Sequence, residues 1–199
     1  TASCAPENPY GWSKLAVERV LEASRVAWGL SYAALRYFNA AGATATLGED
    51  HRPESHLIPI VLDAALGRRP SVTVFGDDYD TRDGTCLRDY VHVSDLAQAH
   101  VLALDAMASG FSGALNLGSE VGFTVLEVIG AVGRVTGHKV RFDVGPPRGG
   151  DPPALVASVA LGVSVFLATR TLPQLAATLE GAKVEVPPLT EIVMAFGQG

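Results

Sequence analysis

The residues best suited to chemistry stand near the start of the sequence, in the run Asn8-Pro9-Tyr10-Gly11-Trp12-Ser13-Lys14. Tyr10 and Lys14 are four positions apart, so a helix places their side chains on one face, one turn from each other. A phenol is a poor proton acceptor at neutral pH, but a nearby ammonium favours its ionised form. The pair can therefore act as a general acid and base toward an alcohol. The alternative is an exposed lysine beside a tyrosine at a helix start.

A second candidate group follows a short apolar run. The stretch Leu35-Arg36-Tyr37-Phe38-Asn39 precedes Ala-Ala-Gly, which is typical of a strand that ends in aromatic residues and an amide. Ligands of open α/β sheets lie beyond the carboxyl ends of the strands. Asn39 stands at such an end and is a candidate ligand residue, with an ordinary turn asparagine as the alternative.

The stretch over residues 76–89 is rich in aspartate and ends in Arg88-Asp89. Its spacing does not fit a calcium-binding EF-hand loop, which needs ligands at alternate positions and a closing Glu, so a solvated loop is favoured. Arg88 stands just before a predicted strand and could bind an anion in a bidentate manner. The alternative for Arg88 is an ion pair with Asp89 or with another acid.

A further constrained loop carries the sequence Arg148-Gly149-Gly150-Asp151-Pro152. An arginine and a carboxylate so close together suit a nucleotide diphosphate and a ribose diol, respectively. Residues 118–122 lie between a predicted strand and a helix and suggest phosphate binding, but they lack the full glycine fingerprint, and a plain turn is favoured. The five histidines do not have metal-ligand spacing, so no metal site is predicted.

Periodicity and end signals predict alternating helices and strands. Helices are expected over residues 11–27, 56–66, 94–108 and 124–135, and strands over 31–38, 72–75, 91–93, 114–117 and 140–144. A long loop is expected over 39–55. The first helix has Leu15, Val17, Val20, Leu21 and Val26 as its apolar positions. This alternation indicates an α/β fold with parallel strands.

The amino-acid composition bears on the partners and the location of the protein. The chain has 199 residues, of which 48% are hydrophobic, and a net charge of −6, which argues against nucleic acid or an anionic membrane surface as a partner. Cys4 and Cys86 are isolated, so a reducing cytoplasm is the expected location. Residues 152–169 are uncharged and long enough to be a candidate membrane span, but their prolines and their lack of basic flanks favour a buried strand or helix.

Taken together and in this order, these blocks resemble the UDP-glucose 4-epimerases of the extended short-chain dehydrogenase/reductase family, over residues 6–158. The resemblance implies a partial Rossmann-like parallel sheet with a smaller C-terminal α/β part that binds substrate. Residues 1–40 would be a remnant of the NAD-binding domain. Residues 41–199 would mainly bind the nucleotide sugar, with 91–109 packing back on the Rossmann sheet.

The resemblance also implies a role for each matched residue. Tyr10 would exchange a proton with the sugar 4-hydroxyl, while Lys14 would favour its ionised form and hold the nicotinamide ribose of NAD. Tyr37 and Phe38 would line the cofactor and substrate. The other matched residues would bind a UDP-hexose: Asn39, Arg88 and Arg148 at the diphosphate, His56 and Leu57 at the nucleotide sugar, Thr73, Val74 and Phe75 at uracil, Asp151 at ribose, and Leu155 at the hexose.

Two family features are missing from the sequence. These are the Gly-x-x-Gly-x-x-Gly loop that binds the NAD pyrophosphate and the Ser/Thr that polarises the 4-hydroxyl. We therefore expect the chain to bind NAD poorly and to be inactive unless a homodimer partner or a separate chain supplies the missing half. A non-catalytic UDP-sugar-binding remnant and an NAD-dependent nucleotide-sugar dehydratase or decarboxylase remain alternatives.

The end of the chain also departs from the family. Residues 159–168 are uncharged and apolar, residues 171–182 again look like the family's closing helix, and residues 183–199 do not. Frame disruption or fast divergence in a truncated gene is our hypothesis for this divergent tail, 159–199.

Overall fold

The computed structural model describes residues 4–6 and 8–157. In chain order these form α1 (Pro9–Trp28), β1 (Ala33–Tyr37), β2 (Asn39–Ala41), α2 (Leu57–Ala65), β3 (Val72–Phe75), β4 (Leu87–His92), α3 (Val93–Ala108), β5 (Gly113–Leu117), β6 (Gly122–Thr124), α4 (Val125–Thr136), β7 (Phe142–Gly145) and β8 (Ala154–Leu155). The tail 159–199 and its expected helix lie outside the described residues.

None of the helices in the described part of the chain has the length and apolar character that crossing a bilayer requires. Most of the candidate span over 152–169 lies beyond that part.

The strands pair mainly in parallel. β1 pairs with β5, β2 with β4, and β3 with β7, all in parallel. β4 also carries β6 as an antiparallel neighbour and β8 as a parallel one. The predicted α/β class with parallel strands is therefore confirmed, and β4 is the strand that joins the most neighbours among the described residues.

Helix α1 has clear end signals. The Asn8 side chain accepts a hydrogen bond from the Gly11 N–H at 2.9 Å, Pro9 occupies the first turn, and Gly29 ends the helix in the left-handed conformation with a φ of 70°. A proline at the first position and a glycine just past the end are the residues that helix termini favour. The helix therefore forms where the sequence predicts it.

The packing of α1 differs from the predicted apolar stripe. Val17, Val20 and Val26 are 57%, 64% and 73% exposed, respectively. The helix docks on β1 instead through polar contacts: Glu18 pairs with Arg36, and the Tyr32 hydroxyl donates to Glu22 at 2.9 Å.

The hydrophobic core lies between α2, α4 and the β3–β7 pair. Its buried members are Val61, Ala65, Val72, Val74, Ile129, Ala131, Val132 and Val140. Thr124 and Glu127 form a capping box at the start of α4, and Gly137 ends the helix with a φ of 68°. The predicted bounds of α4 and β3 are therefore close to those observed.

Three predicted boundaries are wrong around β2 and β4. β2 lies inside the predicted loop, and β4 begins at Leu87 rather than Val91. α3 begins at Val93 rather than Ser94, and His92 caps it, because His92 Nδ1 accepts from the Ser94 N–H at 3.2 Å. Backbone pairing between β2 and β4 creates these strands, and the Asn-Ala-Ala sequence of β2 has no strand propensity to reveal it.

The acidic loop before β4 is exposed at Asp77, Asp78 and Asp80, as expected, but its later part is tied to the start of α4 by hydrogen bonds. Asp83 accepts from the Thr85 N–H and hydroxyl at 2.9 and 2.7 Å, and from the Thr124 hydroxyl. Arg82 pairs with Glu127 and donates to the Gly122 carbonyl at 2.6 Å. This network positions the residues that lead into β4.

Val132→Ala should lower the free energy of unfolding by about 2 kcal/mol, because it removes two methyl groups from a site with no exposed surface. Urea denaturation followed by circular dichroism measures the change. Val101→Ala on α3, at a residue that is 59% exposed, should change stability by less than about 0.5 kcal/mol. Equal effects of the two substitutions would place the core elsewhere.

Acid should weaken the network around Asp83. Burial raises the pKa of Asp83, but hydrogen bonds from Thr124 and Thr85 outweigh it, and the hydrogen bond from Arg82 lowers the pKa of Glu127. Carboxyls with lowered pKa stabilise the fold above their unfolded pKa, near 4, and that stability is lost as pH falls through the folded value.

The combined variant Asp83→Asn, Glu127→Gln should therefore show a shallower loss of stability below about pH 4 than the parent. Urea midpoints at a series of pH values measure it. Asp78→Asn, in an exposed part of the same loop, is the control and should keep the parent's slope. An unchanged slope in the combined variant would contradict the account.

Candidate functional site

A cleft of about 1660 Å³ lies beside the carboxyl ends of β2 and β3 and the start of α2. It brings together most of the residues predicted from the sequence to bind substrate or cofactor, namely Tyr37, Phe38, Asn39, His56, Leu57, Thr73, Phe75, Arg88, Arg148 and Asp151. These residues come from separate stretches of the chain. Their convergence makes the cleft the candidate functional site.

Arg88 is already paired inside the cleft. Its guanidinium forms an ion pair with Asp151 and donates to the carbonyls of Leu87 and Pro152 at 2.8 and 3.0 Å. The acid that pairs with Arg88 is therefore Asp151 and not its neighbour Asp89. The pair joins β4 to the loop that follows β7, and it holds together two residues predicted to bind a ligand.

Arg148 is arranged differently. Its guanidinium carbon lies 4.0 Å from the centroid of the Phe75 ring, a cation–π contact. In the part of the chain that the structure describes, Arg148 has no acidic partner. Its positive charge thus remains available to an anion in the cleft, on a chain whose net charge is −6.

Strand β3 presents an unpaired backbone edge to the cleft. The Val72 N–H donates to Arg141, just before β7, and the Gly76 N–H donates to Gly145, both at 2.9 Å. Because successive residues of a strand direct their backbone groups to opposite sides, Thr73 and Phe75 direct their N–H and C=O groups away from β7. Among the described residues β3 pairs with β7 alone. Val74, also a predicted ligand residue, is 1% exposed and packs its side chain into the core.

Two further predicted substrate residues lie on β2 and β8. The Asn39 side chain donates to the Asp89 carbonyl at 2.9 Å, which fixes its orientation and leaves its own carbonyl oxygen to accept. Leu155, on β8, is 37% exposed and does not line the cleft.

His56 lies immediately before α2, beside two glutamates. Its Nδ1 is 2.8 Å from Glu49 Oε1 and 2.9 Å from Glu54 Oε1. A hydrogen bond from the His56 backbone N–H lowers the pKa of Glu54. Within residues 4–6 and 8–157, Glu49, Glu54 and His56 are the one group of three potential metal ligands (His, Cys, Asp or Glu) whose ligand atoms lie within 4.8 Å of one another. The spacing of the histidines in the sequence could not reveal this group, because two of its members are glutamates.

Tyr10 and Lys14 lie on one face of α1, as their spacing predicts. Lys14 Nζ is 5.0 Å from the centroid of the Tyr10 ring, and Tyr10 is 72% exposed. Neither side chain lines the cleft.

Sequence reasoning missed Cys86 and Tyr90, which also line the cleft. Burial raises the pKa of Tyr90 to about 12, so this phenol stays protonated at neutral pH. Side chains of a strand alternate between faces, so Cys86, Arg88 and Tyr90 share one face. That alternation would have revealed Tyr90 if β4 had been predicted to begin at Leu87; Cys86 lies just before the strand.

Comparison with known proteins agrees with the resemblance. A UDP-glucose 4-epimerase of Halalkalibacterium halodurans is 55% identical over 156 residues, which are 77% of this chain and 47% of that protein. The crystal structure of the Brucella ovis UDP-glucose 4-epimerase in complex with NAD has a TM-score of 0.75 at 50% identity, covering 80% of this chain and 50% of that one.

The Bifidobacterium longum UDP-glucose 4-epimerase in complex with NAD⁺ and UDP has a TM-score of 0.74 at 41% identity, covering 80% of this chain and 49% of that one. This chain thus spans about half the length of the proteins it matches. Residues 1–118 match the NAD dependent epimerase/dehydratase family. Since that match covers more than half of the sequence, the chain belongs to the NAD dependent epimerase/dehydratase family.

Proposed function

We propose that this chain supplies the nucleotide-sugar pocket and the acid–base pair of a UDP-glucose 4-epimerase, which interconverts UDP-glucose and UDP-galactose. The observation that carries the proposal is the convergence of Arg88, Arg148 and Asp151 in one cleft. Two guanidinium groups and a carboxylate are the donors and the acceptor that a diphosphate and an adjacent ribose require.

Each part of a UDP-hexose finds a matching group. Arg148 is the unpaired cation for the diphosphate, and Arg88 adds its remaining N–H donors. Asp151 can accept from the ribose hydroxyls while it keeps its pair with Arg88. The outward backbone groups of Thr73 and Phe75 can pair with the polar edge of uracil. Binding through the nucleotide leaves the hexose free to turn over in the site.

In the proposed reaction Tyr10 takes the proton of the sugar 4-hydroxyl and later returns it. Lys14 lies one helical turn away, with its Nζ 5.0 Å from the centroid of the Tyr10 ring. NAD, held by Tyr10, Lys14, Tyr37 and Phe38, would supply a reversible hydride acceptor. Loss of the hydroxyl proton to Tyr10 together with loss of the hydride from C4 would form the C=O bond, and return of both would form the alcohol again.

The residues present fit one end of NAD. Tyr37 and Phe38, 45% and 39% exposed at the end of β1, offer rings that can flank a nicotinamide. The hydroxyl of Tyr10 and the ammonium of Lys14 can bind a ribose. The sequence contains no glycine fingerprint for the pyrophosphate, so these groups alone would hold NAD weakly.

We infer that a pyrophosphate-binding half completes the dinucleotide site, and that residues 1–199 by themselves are inactive. Among the described residues β1 pairs with β5 only, which leaves its other edge open for a further strand. Trp12, Val20 and Trp28 on α1 are 58%, 64% and 82% exposed and could be covered by that half. Residues 1–40 and 91–109 would complete the dinucleotide side, and the rest of 41–199 the substrate side. Free Cys4 and Cys86 support a cytoplasmic location.

A non-catalytic UDP-sugar-binding protein is the second candidate. It is favoured by one observation: the cleft is assembled within this chain, whereas Tyr10 and Lys14 lie outside it. A dehydratase or decarboxylase is less favoured, since the relatives described above are named 4-epimerases.

The purified chain should bind UDP with a Kd in the micromolar range, roughly −8 kcal/mol, by calorimetry. Arg148→Ala should weaken binding at least about tenfold, because it removes a charge-assisted contact to the diphosphate. Arg134→Ala, which removes the same charge from an exposed part of α4, is the matched control and should bind like the parent. Absence of UDP binding to a folded parent would refute the proposal.

Turnover of UDP-galactose should need a pyrophosphate-binding half in addition to residues 1–199. The chain with NAD alone should be inactive, and mixing it with the amino-terminal half of the Halalkalibacterium halodurans relative should give turnover. Tyr10→Phe should then lower kcat by about 100-fold or more, because the proton acceptor is lost. Tyr32→Phe, which removes a hydroxyl bonded to Glu22, is the control and should keep the parent's rate. Turnover by the chain alone, or full activity of Tyr10→Phe, would contradict this account.

A further inference from the structure

Asp89 is a fully buried acid with no assigned role. It lies on β4 between the cleft residues Arg88 and Tyr90, has 0% exposure, and has no ion pair in the described part of the chain. Burying a carboxylate is costly unless hydrogen bonds satisfy its oxygens. The hydrogen-bond partners of Asp89 must therefore account for its burial.

The carboxylate of Asp89 accepts from two distant segments. Oδ1 accepts from the Ser119 N–H at 3.0 Å and from its hydroxyl at 2.6 Å. Oδ2 accepts from the backbone N–H of Ala157 at 3.1 Å. The main-chain carbonyl of Asp89 accepts from the Asn39 side chain at 2.9 Å. One residue thus connects the turn after β5, the segment after β8 and the start of β2.

The residues that form these hydrogen bonds are tightly packed around Gly118. A Cβ placed on Gly118 would lie 2.5 Å from Asp89 Oδ2 and 2.2 Å from Ala157 Cβ. Distances below 3.0 Å are not tolerated between such atoms, so Asp89 or Ala157 must move if Gly118 gains a side chain.

We call residues 151–157 the strap. At its first end, Arg88 forms an ion pair with Asp151 and donates to the Pro152 carbonyl. The Leu87 N–H also donates to the Pro153 carbonyl there, at 2.8 Å. Its second end is held at Ala157 by Asp89. The first end borders the cleft at Arg88 and Asp151, whereas the second end is buried at Ala157.

We propose that Asp89 is a positioning residue for the nucleotide site, holding the strap and Asn39 so that Asp151 and Arg88 meet a bound nucleotide in the correct geometry. The proposal rests on the proposed function for the identity of the ligand, UDP. Its structural part, that the buried carboxylate anchors the strap, does not depend on any ligand.

Asp89→Asn is the test substitution, because it keeps size and shape. An amide has one acceptor and one donor group. Because Ser119 directs two donors at the carboxylate and Ala157 directs one, the amide oxygen should face Ser119, and the Ala157 N–H loses its acceptor and faces an N–H instead. We expect the Ala157 amide to exchange its hydrogen at least about tenfold faster, and the Kd for UDP to rise about tenfold. Hydrogen exchange by NMR and calorimetry with UDP measure the two effects.

Two controls separate positioning from general stability. Ser119→Ala removes the hydroxyl bond but keeps both backbone bonds to Asp89, and should leave the Kd within about twofold. Val132→Ala destabilises the core without touching the strap, and should also leave the Kd unchanged while the protein is folded. If Asp89→Asn does not fold, Gly118→Ala pushes the strap away with Asp89 intact and should cause the same loss of affinity.

The outcomes are distinguishable. An unchanged Kd in a folded Asp89→Asn, or an equal loss in Val132→Ala, would overturn the positioning role. So would a parent protein whose Ala157 amide exchanges as fast as an exposed loop amide. A parent that fails to bind UDP would refute the proposed function, and the exchange measurement would then decide alone whether Asp89 anchors the strap.

Discussion

The alternation of side chains along β4 is the constraint on which the cleft depends. Arg88 and Tyr90 face the cleft, while Asp89 between them faces the interior, where backbone N–H groups of two other segments satisfy it. A shift of one residue in the pairing of β4 would bury the arginine and expose the acid. The parallel register with β2 and β8 and the antiparallel register with β6 prevent that shift.

Arg88 and Arg148 contribute to the anion site in different ways. The charge of Arg88 is largely balanced by Asp151 before any ligand arrives, so its contribution is to orient the loop that carries Asp151. Arg148 rests on the Phe75 ring and keeps its charge unbalanced by any acid in the described region. A preformed pair beside a free cation gives an anion site with little reorganisation on binding, on a chain that is acidic overall.

Local signals in the sequence predicted the elements that local interactions form. Periodicity and end signals gave bounds for α1, α4 and β3 that lie within two residues of those observed. The start of β4 could not be predicted, because partners far along the chain create it. Because β4 was predicted to begin too late, neither the position of Tyr90 in the cleft nor the burial of Asp89 was predicted. Most of the ligand residues implied by resemblance do converge, whereas the position of Tyr10 relative to the cleft needed the structure.

The central claim is that UDP binds between β3, β4 and the strap. Amide chemical-shift mapping of the labelled chain during a UDP titration tests it most directly. The account predicts the largest shifts at Thr73, Phe75, Arg88 and Asp151, with no change along the exposed face of α1. Shifts confined to the apolar groove between β1 and α3, which is lined by Leu35 and Leu104, or no shifts at saturating UDP, would contradict it.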